Sequence, residues 1–154
     1  MKEVMNMPKN IEQWLSLALW LAGAGHFCVL IASFQVPHRL NWKEDLAKLS
    51  TFNRKIVWVY GGFTVYTVAA FGAMTLALHG ELMRGEPAAL VLACFIGVYW
   101  LLRIVVEFTY YSHQDWPKGL AFRIGHVLLT SLCVFLSTSY LGLTAWHWMK
   151  AVRA

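Results

Sequence analysis

The chain has 154 residues, 58% of them hydrophobic and only 14% charged, where a soluble globular protein carries about 25% charged residues. Its net charge of +5 comes from thirteen Lys and Arg against eight Asp and Glu, and the excess is scattered through short segments between apolar runs. That is a membrane pattern; it excludes a nucleic-acid footprint, and the segments are too short to hold a soluble catalytic domain.

Residues 1–154 make one integral membrane domain. Four runs reach the roughly 20 apolar residues that cross a hydrocarbon core of about 30 Å, at 15–36, 56–78, 88–112 and 120–149. The first begins after a polar N-terminal stretch and is too long for a cleaved leader, so it reads as a retained helix that stops at Pro37. In the loop that follows, Trp42, Leu46 and Leu49 recur at helical spacing while Lys43, Asp45 and Lys48 take other faces. With Asn41 and Glu44 spaced as a capping box, the segment predicts a short amphipathic helix on the membrane surface. The second span ends at His79-Gly80 and the third before Trp116-Pro117. Polar loops between consecutive spans make an all-α, up-and-down four-helix bundle the expected fold.

The side bearing the first and third loops has seven basic residues (Arg39, Lys43, Lys48, Arg54, Lys55, Lys118, Arg123), against five on the other side (Lys2, Lys9, Arg84, Lys150, Arg153). The positive-inside rule then puts both termini outside. Cys28, Cys94 and Cys133 fall in three separate runs with no paired spacing and read as buried apolar residues.

Charge in hydrocarbon is costly, so the informative residues are the ionisable ones inside the spans: His26, Arg103, Glu107 and His126. Counting helix rise from the first- and third-loop face puts them about 15, 13, 8 and 9 Å deep, with Tyr60 level with His126. Three spans thus contribute ionisable groups to one half of the bilayer and none to the other. The expectation is one polar pocket of His26, Tyr60, Trp100, Arg103, Glu107, Tyr110 and His126, with Asn53, Arg54 and His113 near its mouth. Small residues beside it, Ala22, Gly23 and Gly25 on one span and Gly61-Gly62 on another, permit close helix approach or leave room for a ligand. The bland alternative is an Arg103–Glu107 pair at i,i+4 that only neutralises itself. His38, His79 and His147 sit at span ends and read as solvated interfacial groups.

The stretch Val36-Pro37-His38-Arg39-Leu40-Asn41-Trp42, with Asn53-Arg54-Lys55-Ile56-Val57-Trp58-Val59-Tyr60-Gly61-Gly62-Phe63 and the 103–111 segment, resembles small bacterial four-helix membrane proteins of unassigned activity. In size and span count the chain is also similar to DoxX-like proteins, in architecture only. The resemblance implies a multi-pass protein of a bacterial inner membrane and no particular chemistry.

Three functions stay open at this level. The first is a binding or accessory protein whose pocket takes a lipophilic or anionic small molecule of quinone or lipid type, alone, as a homo-oligomer or beside a membrane-complex partner. The second is a redox protein with b-type haem on His26 and His126. The third is a metal-dependent membrane enzyme drawing on His26, His126, Glu107 and His113.

Overall fold

A computed structural model of the chain describes residues 7–111 and 119–153. Its helices are α1 (Met7–Arg39), α2 (Trp42–Ala47), α3 (Thr51–Ala77), α4 (His79–Arg84), α5 (Pro87–Thr109) and α6 (Leu120–Arg153), with no strand among the described residues. α1, α3, α5 and α6 are each long and apolar enough to cross a membrane, the makeup of a multi-pass membrane protein in a lipid bilayer. Even the shortest, α5 with 23 residues, extends about 35 Å at the usual helical rise.

The helix ends differ from the sequence expectation where local capping decides them. α1 runs through Pro37 to Arg39, because a proline in the last turn forfeits only one ladder bond. α3 starts at Thr51, five residues early, since the Ser50 side chain accepts the Asn53 backbone N–H at 3.4 Å and caps the helix there. Asn41 forms no capping box. It sits in the left-handed region at φ 51 without a side-chain cap, and its amide donates to the Glu44 carboxylate instead. The second loop contains an unexpected short helix, α4, closed by Gly85 at φ 75. A side chain there would be strained and would also collide with the His147 ring. Pro87 then opens α5 at its first turn, where no N–H is needed. The expected stop at Trp116-Pro117 lies outside the described residues.

α1 packs mainly on α3 and α6, and α5 mainly on α6. Residue numbers rise on α1 as they fall through α4 and α3: Ser16 meets His79, Gly23 meets Leu76, and His26 meets Gly72. At the same end of the molecule Lys150 Nζ donates to Glu12 Oε1 at 2.7 Å, joining α6 to α1. Glycines set the spacing in this half. A Cβ on Gly23 would stand 2.5 Å from Leu76, and one on Gly72 would stand 3.0 Å from the His26 Cβ and 3.1 Å from the Gly23 carbonyl oxygen. On Gly97 it would stand 3.2 Å from the Leu141 backbone nitrogen. Such contacts replace the hydrophobic effect, which drives little association between helices already in lipid.

Burial is distributed unevenly along the helices. The core is made of Leu19, Ala22 and His26 on α1, Val68, Phe71 and Thr75 on α3, Ala93, Ile96 and Trp100 on α5, and Cys133, Leu136 and Tyr140 on α6, with their neighbours. All belong to the half beside α4 and the helix ends at Glu12 and Lys150. Toward the first-loop end, no described side chain of α3 before Val68 or of α6 before Cys133 is buried, and beyond Trp100 α5 buries only Glu107. Gly61, Gly62 and Gly125 there have nothing within 4 Å of where a Cβ would stand. The molecule is closed over one half and open over the other.

Candidate polar site

His26 is fully buried at the boundary between the two halves. Its Nε2 accepts the Trp100 indole N–H at 3.0 Å, and since indole nitrogen only donates, the ring proton resides on Nδ1, which donates to the Ala22 carbonyl at 2.7 Å. Phe71, Trp100 and Tyr140 surround the ring edge-on, with centroids 6.1, 5.5 and 5.8 Å away. One turn deeper, the Tyr140 hydroxyl and Thr75 Oγ1 are 2.6 Å apart, linking α6 to α3, while Thr75 also donates to the Phe71 carbonyl. Ser137 on α6 donates to the Gly97 carbonyl on α5 at 3.1 Å. Together these bonds link the four long helices; His26 contributes through Nε2, while its Nδ1 bonds within α1.

The second polar group lies toward the first-loop end, on α5 and α6. Glu107 bridges two partners: one carboxylate oxygen receives an Arg103 N–H, and the other stands 3.3 Å from His126 Nδ1. His126 Nε2 lies 3.4 Å from Thr130 Oγ1. The Glu107 side chain is 11% exposed and that of Arg103 39%, so the carboxylate is enclosed while the guanidinium reaches into the open half. A narrow crevice beside them, lined by Arg103, Ile104, Glu107, Leu129, Thr130 and Cys133, has room for about one water molecule.

The expected single pocket is therefore divided. Trp100 belongs with His26, and Glu107 lies seven residues further along α5, about 10 Å of helix rise. Arg103, Glu107 and His126 come together as expected. Tyr60 and Tyr110 do not join them: Tyr60 is 69% exposed on the outer face of α3, and Tyr110 is 81% exposed where α5 ends. Helix rise gives a residue's depth but not the direction in which it faces, and both tyrosines fail on direction. Asn53 and Arg54 lie in the first turn of α3, and His113 is outside the described residues. Cys133 is buried as expected, but Cys28 is exposed.

His26 does not fit the role of an axial haem ligand, because both ring nitrogens are engaged and aromatic rings occupy the space around it. Among the described residues no three His, Cys, Asp or Glu are grouped to hold a metal ion. Sequence reasoning missed Thr130 and Cys133 in the crevice wall, although they follow His126 at i+4 and i+7 and so share its face. It also missed Tyr140 and Thr75, whose pairing joins helices 65 residues apart. His79 is not simply solvated: it stacks on Trp20 at 4.6 Å and lies 3.2 Å from Ser16 Oγ.

No protein-family model matches the chain, and no curated protein or solved structure shows significant similarity to it.

Proposed function

We propose that this chain is a membrane-embedded binding protein that takes a lipophilic molecule into its open half and holds the polar head at Arg103, Glu107 and His126. The observation that carries this reading is the placement of a shared carboxylate between two basic side chains at the floor of the uncovered half. Ionisable groups at that depth cost several kcal/mol unless they satisfy one another or a ligand. The Arg103 guanidinium has five N–H groups, of which one is given to Glu107. In the same half, aliphatic and aromatic side chains, among them Leu102, Val106, Phe63 and Ile124, are exposed. A head held there would leave its tail among those side chains. Such a protein acts as a carrier or an accessory subunit, alone, as a homo-oligomer or beside a membrane-complex partner.

The reading includes an up-and-down bundle in a bacterial inner membrane, with the seven basic residues of the first- and third-loop side facing the cytoplasm. α2 lies in the membrane surface, with Trp42 against Trp58 of α3 at 6.2 Å and Lys48 paired to Asp45 on its outer side.

The test is extraction. Wild-type protein and Arg103→Gln are purified from the same membranes in mild detergent, and organic extracts of both are compared by mass spectrometry. Wild-type protein should retain a lipophilic molecule near one per chain that Arg103→Gln, equally folded, lacks. Identical extracts would reject the reading.

A further inference from the structure

Two features of the polar group bear on what kind of head it receives: its charge balance and the size of the space beside it. Arg103 and Glu107 form an ion pair, so their two charges cancel. An anion entering there would meet the Glu107 carboxylate with the charge of Arg103 already paired, and desolvating a poorly compensated charge is expensive in a low-dielectric interior. A neutral acceptor meets no such penalty and can take the remaining guanidinium N–H groups directly. The crevice walls give the second constraint. With room for about one water between Arg103, Glu107, Thr130 and Cys133, the space matches a single oxygen atom. A phosphate or carboxylate group, with two or more oxygens needing partners, does not fit.

Resting on the binding role proposed above, we infer that the site selects uncharged amphiphiles whose head presents a single carbonyl oxygen, and rejects anionic heads. Arg103 donates to that oxygen, Glu107 cancels the charge of Arg103 and orients it, and His126 fixes the Glu107 carboxylate from the α6 side. Glu107 is in this sense the residue that sets selectivity. Removing its charge while keeping its shape leaves the charge of Arg103 unpaired.

The experiment uses the full chain in detergent and two probes with the same tail, decyl methyl ketone and decyl phosphate, titrated calorimetrically. The wild-type protein should bind the ketone at least about tenfold more tightly, a difference of about 1.4 kcal/mol. Glu107→Gln should reverse the order, and Glu107→Asp, which keeps the charge, should preserve it. A wild-type preference for decyl phosphate would overturn the inference while leaving a binding site in place. An unchanged order in a folded Glu107→Gln would overturn it as well. Binding of neither probe by folded wild-type protein would remove the binding role itself. The wild-type comparison stands alone if the Gln variant fails to fold.

Discussion

The two halves of the molecule are built from equally apolar helices yet behave as different materials. Beside α4, glycines on α1, α3 and α5 let the helices approach until a single added carbon would collide with a neighbour. There the polar side chains Thr75, Tyr140, Ser137 and His26 all bond across or along helices. Toward the first loop, the glycines of α3 and α6 face empty space, and the only strongly buried side chain on α5 is a carboxylate. In lipid, apolar surface alone does not pull helices together, so closeness has to come from small residues and interhelical hydrogen bonds. One half uses both, whereas in the other the glycines meet no neighbour and the contact between helices is the Glu107–His126 approach. What the second half has is an ion cluster with a guanidinium only partly covered.

The largest effect that should separate the halves is steric. Gly72→Leu forces a branched side chain against the His26 Cβ and the Gly23 carbonyl, and should cost about 3 kcal/mol or prevent assembly. Gly62→Leu, with nothing within 4 Å, should change thermal stability in detergent by less than about 0.5 kcal/mol. Equal losses in the two variants would remove the distinction on which the account depends.

Next in size is the buried imidazole. His26→Leu leaves the Trp100 indole N–H without its acceptor in a dry core, a loss of about 1–3 kcal/mol by thermal unfolding. Because His26 lies outside the Arg103–Glu107–His126 group, ligand retention per folded molecule should be unaltered. Loss of the ligand at unchanged stability would place His26 in the site after all.

The ion cluster should behave in the opposite way. Glu107→Leu alone strands the guanidinium and should destabilise, by less than the roughly 3–5 kcal/mol of a fully buried pair because Arg103 is 39% exposed. The double variant Arg103→Met with Glu107→Leu should recover most of that stability while retaining no ligand. If the double variant is as unstable as the single one, the pair holds the fold together and the site reading weakens. Among the polar substitutions, the smallest effect is expected at Tyr140→Phe. It removes one interhelical hydrogen bond, worth about 0.6–1.7 kcal/mol in a membrane, while Thr75 keeps its bond to the Phe71 carbonyl.

The four spans were legible in the sequence because length and apolarity are all that crossing a bilayer requires. The Arg103–Glu107 pair was legible from its i,i+4 spacing, and the approach of His126 from matching depths. Tyr60 was misplaced because it lies off the inward stripe of α3 that runs through Gly61, Val65, Val68, Gly72 and Thr75. A one-residue step turns a side chain about 100° around the helix. The partners of His26 were illegible for another reason: Trp100 sits 74 residues away, and only packing brings its indole to the imidazole. The contrast between closed and open glycines was likewise hidden, since Gly61-Gly62 and Gly72 read alike until the opposing helix is known. α4 escaped notice because six residues carry too little periodicity to stand out from a loop.

The central claim is that the open half receives a lipophilic molecule whose head reaches Arg103, and photolabelling tests it most directly. A decyl probe with a carbonyl head and a photoreactive tail is cross-linked to the wild-type protein and to Arg103→Gln in detergent, and the labelled peptides are mapped. Labelling should concentrate on residues 58–66, 102–109 and 123–130, and should fall sharply in the variant. Labels spread around the whole perimeter in proportion to exposure, unchanged by Arg103→Gln, would contradict the account.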